Sequence, residues 1–235
     1  MSSSADNSSH DNSAHASSID AAQRLNSALL AAGMPPLEPF LTARFDTYLS
    51  LFVRWNQRVN LSAIRHQGGI ISRHFVESIS CALALPVGIS SLLDLGSGGG
   101  FPGIPIALCR PEISVTLAES NGKKAAFLQE AGRQLGLSTK VHGRRAEELG
   151  EVFDCVTMRA VDRMADAVQI GSRLVKAGGW LALLTTAPEA AGLQSAAGPG
   201  FVWNATVPLP GSTERVIALG QKIAAAPSPE PSLRD

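Results

Sequence analysis

The run Leu92-Leu93-Asp94-Leu95-Gly96-Ser97-Gly98-Gly99-Gly100-Phe101-Pro102-Gly103 constrains this chain more than any other stretch. A short apolar strand ends at an acid, a turn crowded with glycine follows, and the next segment can open a helix. Glycine carries no Cβ, so it is the residue for backbone that turns sharply or comes close to a ligand. Four glycines in the five positions 96–100 also cost conformational entropy on folding, which makes a loop with no ligand an expensive arrangement. An acid at the strand end beside such a turn makes a pocket for the polar part of a nucleoside cofactor.

The flanking pattern places that turn in an α/β domain. Asp20 can cap a helix that runs to about Ala32, where Gly33 and Pro35-Pro36 stop it. Leu37, Leu41, Phe45, Tyr48, Phe52, Trp55 and Val59 recur at spacings of four and three, one face of a second helix. A third helix is expected over 70–85, ending at Pro86. Strand signals then alternate with helix signals: strands at 91–95, 114–119, 139–142, 155–158 and 180–185, and helices at 103–109, 122–135 and 162–175. This βα order implies a doubly wound, mostly parallel sheet with helices on both faces and a helical N-terminal cap. Two last strands, 201–207 and 214–219, joined by a turn at Pro210-Gly211, read as an antiparallel hairpin at the sheet edge. The expected organisation is a disordered tail at 1–18, the helical cap at 19–86, a cofactor-binding domain at 87–221 and a second disordered tail at 222–235.

Composition narrows the class. The formal net charge is zero, so attraction to nucleic acid has to come from a local patch. Cys81, Cys109 and Cys155 are odd in number and far apart, which argues against a disulfide framework and a zinc site and favours a reducing cytoplasm. No apolar run approaches the ~18 residues of a membrane span. The Ser-rich start does not resemble a secretory signal.

Ligands of such sheets bind beyond the carboxyl ends of the strands, where the strand order reverses. The loops after the first, third and fourth strands and the acid Glu119 after the second belong there. Two cofactors compete. Gly98, Gly100 and Gly103 satisfy the dinucleotide pattern G-x-G-x-x-G, with Glu119 as the later acid, so NAD is a rival. The acid Asp94 beside the loop suits the cationic tail of S-adenosylmethionine and repels a pyrophosphate, which favours S-adenosylmethionine. Glu119 can accept from ribose hydroxyls in both cases.

Several motifs together resemble a known family. Trp55-Asn56-x-x-Val59-Asn60-Leu61-Ser62 precedes Arg73-His74-x-x-Glu77-Ser78, then the glycine run with Phe101-Pro102-Gly103-Ile104-Pro105. Glu119-Ser120-x-x-Lys123-Lys124-x-x-Phe127-Leu128, Arg145-x-Glu147 and Arg159-Ala160 follow. This order resembles the bacterial 16S ribosomal RNA guanine-N7 methyltransferase family (RsmG, formerly GidB), from about Asp20 to Leu219. The resemblance implies a class I Rossmann-like methyltransferase that uses S-adenosylmethionine to methylate guanine N7 in the 530-loop region of 16S ribosomal RNA. It implies a cytoplasmic monomer, acting on RNA in the 30S subunit or an assembly intermediate, with no membrane and no metal. It assigns Gly96, Gly98, Phe101, Glu119, Ala146, Glu147 and Arg159 to the cofactor site, with Arg159 also the catalytic candidate at the mouth of the cleft. Two positions depart from the family: Glu77 replaces its usual Asp, and Thr185-Thr186 replaces its Lys-Gly. A methyltransferase for another substrate, and a nucleoside-binding assembly or regulatory protein without turnover, are the alternatives.

Between Thr42 and His74 the chain carries Arg44, Arg54, Arg58, Arg65 and Arg73 against the one acid Asp46. That excess suits phosphate contact and equally suits a solvated helix face. Arg144-Arg145 forms a second cluster. Arg73 can pair with Glu77 one helical turn on, and Asn56 and Asn60 can bracket a loop.

Overall fold

The computed structural model describes residues 21–224. The expected tail at 1–18, the Asp20 cap and the last residues, 225–235, lie outside them. One sheet organises the described chain. Its strands are β1 (Ser91–Leu95), β2 (Ser114–Ala118), β3 (Lys140–His142), β4 (Phe153–Arg159), β5 (Val175–Thr186), β6 (Phe201–Trp203), β7 (Val207–Pro208) and β8 (Arg215–Lys222). They lie in the order β3-β2-β1-β4-β5-β8-β6, with β7 also paired to β8. The first five are parallel and β8 runs antiparallel to β5. The order reverses between β1 and β4, and the crevice for a ligand opens there.

The helices are α1 (21–31), α2 (Pro39–Val59), α3 (Gln67–Ile70), α4 (Glu77–Ala84), α5 (Gly103–Cys109), α6 (Gly122–Gln134), α7 (Met164–Leu174) and α8 (Ala187–Ala196). A wide π turn, Ile71–Val76, joins α3 to α4. β1 is apolar on both sides because helices cover both faces of the sheet. Leu92 packs into the core on one face, with Phe45, Phe75 and Phe127, and Leu93 and Leu95 pack into the other, with Met158, Val168 and Leu193.

The expected stripe on α2 drives its docking. Phe45, Tyr48 and Phe52 are fully buried, each contributing about 1.5–3 kcal/mol on burial. Tyr48 stacks on Phe75 at 5.3 Å, and Phe52 meets Phe101 edge-on at 5.3 Å. Trp55 is half-buried against Phe127 at 5.7 Å. The cap helix thus packs directly on the end of the glycine loop.

Four expectations change. The third helix starts at Gln67, because His66 caps it by accepting the Gly69 N–H at 2.9 Å, and the π turn interrupts it. α8 was not expected: its Ala- and Gly-rich sequence buries only Ala190 and Leu193, too weak a stripe to read as a helix. The edge strand expected over 201–207 is broken into β6 and β7; both run antiparallel to β8, as the hairpin reading expected, and β8 joins them to β5. Lys222 belongs to β8 instead of a tail, and its Nζ donates to the carbonyls of Ser172 and Val175 at 2.8 Å. The three cysteines are free, and among the described residues no helix is long and apolar enough to cross a membrane.

Candidate active site

A cleft of about 770 Å³ lies over the carboxyl ends of β1, β2 and β4. Gly96, Gly98 and Phe101 line it from the first loop, Glu119 from the second, Ala146 and Glu147 from a 3₁₀ turn after β3, and Arg159 from the end of β4. All seven residues picked from the sequence therefore face one space. Gly98 has φ +56°, and only Gly96 O lies within 4 Å of where its Cβ would stand, so that volume belongs to the cleft. Gly100 has φ +87°, and a Cβ there would meet Ile104 Cδ1 at 2.5 Å and Tyr48 Oη at 2.7 Å. The loop is pressed against the cap as well as open to the cleft. The Tyr48 hydroxyl donates to Gly99 O at 2.5 Å.

Asp94 does not serve the cleft as the sequence led us to expect. Its side chain is 1% exposed and turned inward, accepting from Gly103 N at 3.1 Å and Thr157 Oγ1 at 3.1 Å. Burial pushes its carboxyl up to about 6 despite these hydrogen bonds. The acid ties the start of α5 to β4 and does not line the cleft. The expectation failed because a strand-end acid has two possible directions, and pattern alone does not choose between them.

Glu119 is also well placed inside the site. Its Oε2 accepts from Gly98 N at 2.9 Å and its Oε1 from Asn121 N at 2.7 Å. One carboxylate thus ties the glycine loop to the start of α6, where Asn121 caps by accepting from the N–H groups of Lys123 and Lys124. Each oxygen keeps a lone pair for a further donor.

Phe101 is buried and stacks on His74, with ring centroids 4.6 Å apart and planes at 18°. The His74 Nε2 lies 2.8 Å from Ser62 Oγ, and Ser62 N donates to Asn56 Oδ1 at 2.9 Å. Asn56 in turn donates to Ile64 O at 3.0 Å, and Arg65 bonds Asn60 Oδ1 and Asn56 O. The two asparagines do bracket the loop after α2. Burial, with Arg159 and Arg73 nearby, pulls the His74 imidazole down to about 3, so it is neutral at physiological pH.

Arg159 belongs to a group that the sequence did not announce. Glu77 is 1% exposed, and three guanidinium groups converge on it. Arg159 Nη2 is 3.2 Å from Oε2, Arg215 Nε is 2.7 Å from Oε1, and Arg73 Nε is 3.2 Å from Oε1. Arg159 Nη2 also donates to Arg73 O at 2.6 Å, while its Nη1 is buried and has no partner among the described residues. Three positive charges on one negative give this group a net positive charge. The π turn is what brings Arg73, His74 and Glu77 together here; such wide turns recur at functional sites. The Arg73–Glu77 pair was visible from spacing. Arg215 was not, because it sits 138 residues away at the start of β8. The available signal was an acid inside the apolar run Phe75-Val76-Glu77-Ser78-Ile79, which has to find a cation when buried.

The basic stretch 42–74 is divided by the fold. Arg44 bonds Leu135 O at the end of α6, Arg65 holds its own loop, and Arg54 and Arg58 are exposed on α2. Arg73 is the arginine of the five that lines the cleft, joined there by Lys124, Arg144, Arg145 and Arg163. A second cavity of about 850 Å³ shares Arg73, Arg159 and residues 160–162 with the cleft and is lined on its other side by α8.

The comparisons agree with this architecture. The family model GidB, described as rRNA small subunit methyltransferase G, matches residues 41–196. The chain is 42% identical over 160 residues to the Ribosomal RNA small subunit methyltransferase G of Xanthomonas oryzae pv. oryzae, covering 66% of this chain and 74% of that one. It is 44% identical over 163 residues to the Stenotrophomonas maltophilia protein of the same name, covering 68% and 74%. Among solved structures it resembles cofactor-bound Rv0187 from MTB, at 18% identity, 85% and 96% coverage and a TM-score of 0.57. It also resembles a SAM-dependent O-methyltransferase from Thermotoga maritima, at 14% identity, 74% and 72% coverage and a TM-score of 0.53. The structural likenesses establish a Rossmann-like methyltransferase fold, and the sequence matches go further: the chain is a methyltransferase and belongs to the rRNA small subunit methyltransferase G (GidB) family.

Proposed function

We propose that the protein transfers a methyl group from S-adenosylmethionine to N7 of a guanine in the 530-loop region of 16S ribosomal RNA. One observation carries this reading: beside the glycine-and-Glu119 cleft lies a second cavity large enough for a nucleotide, and the two share Arg73 and Arg159 of the group held on Glu77. A donor site and an acceptor site side by side in this way suit transfer to a nucleotide.

The residues fit the cofactor. S-adenosylmethionine bound in the cleft supplies an electrophilic methyl group on a sulfonium. Gly96 and Gly98 let the backbone come close to it, and Phe101, fixed by its stack on His74, forms an apolar wall. Glu119 accepts from the ribose hydroxyls through the free lone pairs of both oxygens. Ala146 and Glu147, which line the cleft from the turn after β3, would flank the adenine.

Guanine N7 carries an in-plane lone pair and no proton at neutral pH, so the chain needs no general base. His74 is neutral, buried and stacked on Phe101, and its part is to hold that ring. The work left to the protein is positioning and exclusion of water, which supplies up to ~7–11 kcal/mol in well-aligned cases. Arg159 is the catalytic candidate because it stands where the two spaces meet. In an A-form duplex the N7 edge lies in a deep, narrow groove, so the base has to come from a loop or be extruded. Arg73, Arg144, Arg145 and Arg163, which line the cleft, would meet the flanking phosphates. The protein acts as a monomer in the cytoplasm, on 16S ribosomal RNA in the 30S subunit or an assembly intermediate.

The test is methyl transfer from labelled S-adenosylmethionine to 30S particles, and to their RNA, from a strain that lacks the enzyme. Label at guanine N7 in the 530-loop region is expected. Label absent there, with an active control enzyme alongside, rejects the proposal.

A further inference from the structure

We infer that Asp162 holds the α-ammonium group of S-adenosylmethionine, at the seam between the cofactor cleft and the second cavity. This rests on the cofactor named in the reading above and not on its acceptor. The sheet order sets the direction. Across β3, β2, β1 and β4 the cleft presents Ala146 and Glu147, then Glu119, then Gly96 and Gly98, then residues 159–162. With the adenine at the first of these and the ribose at the second, the sulfonium comes over the glycine loop. The amino-acid end then arrives beyond β4.

The segment after β4 is fixed at both ends. Ala160 and Arg163 have φ +49° and +52°, in the left-handed region that residues other than glycine rarely adopt. Such backbone costs about 1–3 kcal/mol, persists only where its surroundings hold it, and clusters at ligand clamps. Arg159 anchors the front on Glu77 and on Arg73 O. Arg163 anchors the back: its carbonyl accepts from Asp166 N at 2.9 Å and Ala167 N at 3.2 Å, at the start of α7. Between these anchors Val161 packs on the glycine loop, where a Cβ on Gly96 would meet Val161 Cγ2 at 2.8 Å. Asp162, the next residue, lines both spaces.

The charges at the seam match an amino acid. Arg73, Arg159 and Asp162 are the charged side chains that line both the cleft and the cavity. An amino acid carries a carboxylate beside an ammonium, so it is matched by a cation beside an anion. Three guanidinium groups share Glu77, and Arg159, already in the cofactor site, brings the cation. The anion follows by elimination among the acids that line the cleft. Glu119 is engaged with Gly98 N, Asn121 N and the ribose. Glu147 stands at the adenine end, and Asp166 is paired with Arg163. Asp94 does not line the cleft. Asp162 makes no side-chain hydrogen bond or ion pair among the described residues, so its carboxylate is left for a ligand's donors.

The test is calorimetric titration of the full chain with two ligands: S-adenosylhomocysteine, which keeps the amino-acid end, and its analogue lacking the α-amino group. Asp162→Asn is expected to bind S-adenosylhomocysteine about tenfold to a hundredfold more weakly, the range for one hydrogen bond to a charged group. It is expected not to weaken the analogue. In the wild-type protein, loss of the amino group should cost a similar factor, since both changes remove the same contact. Asp166→Asn is the second variant, because Asp166 lines the same cleft and is already paired. It should bind both ligands as the wild type does. Asp162 and Asp166 are not part of the core, so Tm is expected to stay at the wild-type value in both variants. Three outcomes overturn the inference alone. S-adenosylhomocysteine binds Asp162→Asn as tightly as wild type; Asp162→Asn weakens both ligands equally, which marks a displaced segment instead of a lost contact; or Asp166→Asn loses as much as Asp162→Asn. If the wild-type protein binds neither S-adenosylmethionine nor S-adenosylhomocysteine, the cofactor in the reading above fails and the inference with it.

Discussion

Replacing Glu77 by Gln keeps the side-chain volume and removes the charge on which three guanidinium groups converge. Their weights differ. Arg73 is 44% exposed, so solvent screens its pair with Glu77 and little is lost there. Arg215 and Arg159 are 22% and 11% exposed, and they lose most of their compensation. Breaking a buried ion pair by removing one partner costs about 3–5 kcal/mol. Because Arg215 keeps some contact with water, the lower end applies, about 3 kcal/mol. For a domain of this size that lowers Tm by about 6–12 °C. Urea denaturation followed by tryptophan fluorescence measures the loss, with an unchanged m-value showing that the transition is the same one. Adding Arg159→Gln to Glu77→Gln should cost less than the two single losses combined, with a coupling of about 1–3 kcal/mol. Glu77→Asp keeps the charge and is expected to lose about 1 kcal/mol. If Glu77→Gln unfolds within about 0.5 kcal/mol of the wild type, the carboxylate does not hold the arginines together and the reasoning fails.

Asp94 and His74 give opposite pH dependences. The Asp94 pKa is raised to about 6, so between pH 4 and 6 the folded state binds more protons than the unfolded one and stability falls as pH rises. The His74 pKa is lowered to about 3, so between pH 3 and 6.5 the unfolded state binds more and stability rises with pH. Each slope is at most about 1.4 kcal/mol per pH unit. Relative to wild type, Asp94→Asn should steepen the gain in stability from pH 4 to 6, and His74→Gln should reverse it; parallel profiles for all three proteins count against both assignments. Gly100→Ala forces a side chain into φ +87° and against Ile104 and Tyr48, so a loss of about 2–4 kcal/mol is expected in denaturant melts, whereas Gly122→Ala, with open space around its Cβ, should be near neutral. Glu119→Ala removes the acceptor of two backbone N–H groups and of the ribose hydroxyls, and calorimetry should show S-adenosylmethionine binding about tenfold to a hundredfold weaker. Unchanged affinity would remove Glu119 from the cofactor site.

Much of the architecture is written locally. The bounds of β1 came directly from Leu92, Leu93 and Leu95 beside the glycines, and α2 from a stripe whose spacing has no other use. α5, α6 and α7 follow from the βα alternation, because each strand of a parallel sheet needs a crossover before the next. α8 escaped because alanine and glycine leave a helix without a distinct apolar side. The residues of the cleft were legible for a related reason. They sit in loops after consecutive strands, and the topology of a parallel sheet brings all those loops to one end.

The direction of a side chain and the meeting of distant ones were not legible. Asp94 and Glu119 are both strand-end acids, yet one is sealed under α5 and the other lines the cleft; only the packing of Gly103 and Thr157 against Asp94 separates them. Glu77, Arg159 and Arg215 lie on a helix, a parallel strand and the antiparallel strand β8, with no periodicity linking them. Short-range order along the chain determined which elements form and which loops share the binding end. The balance of charge within the site came from the folded molecule alone, because burying one carboxylate among three arginines requires contacts that exist only after the sheet is closed by β8.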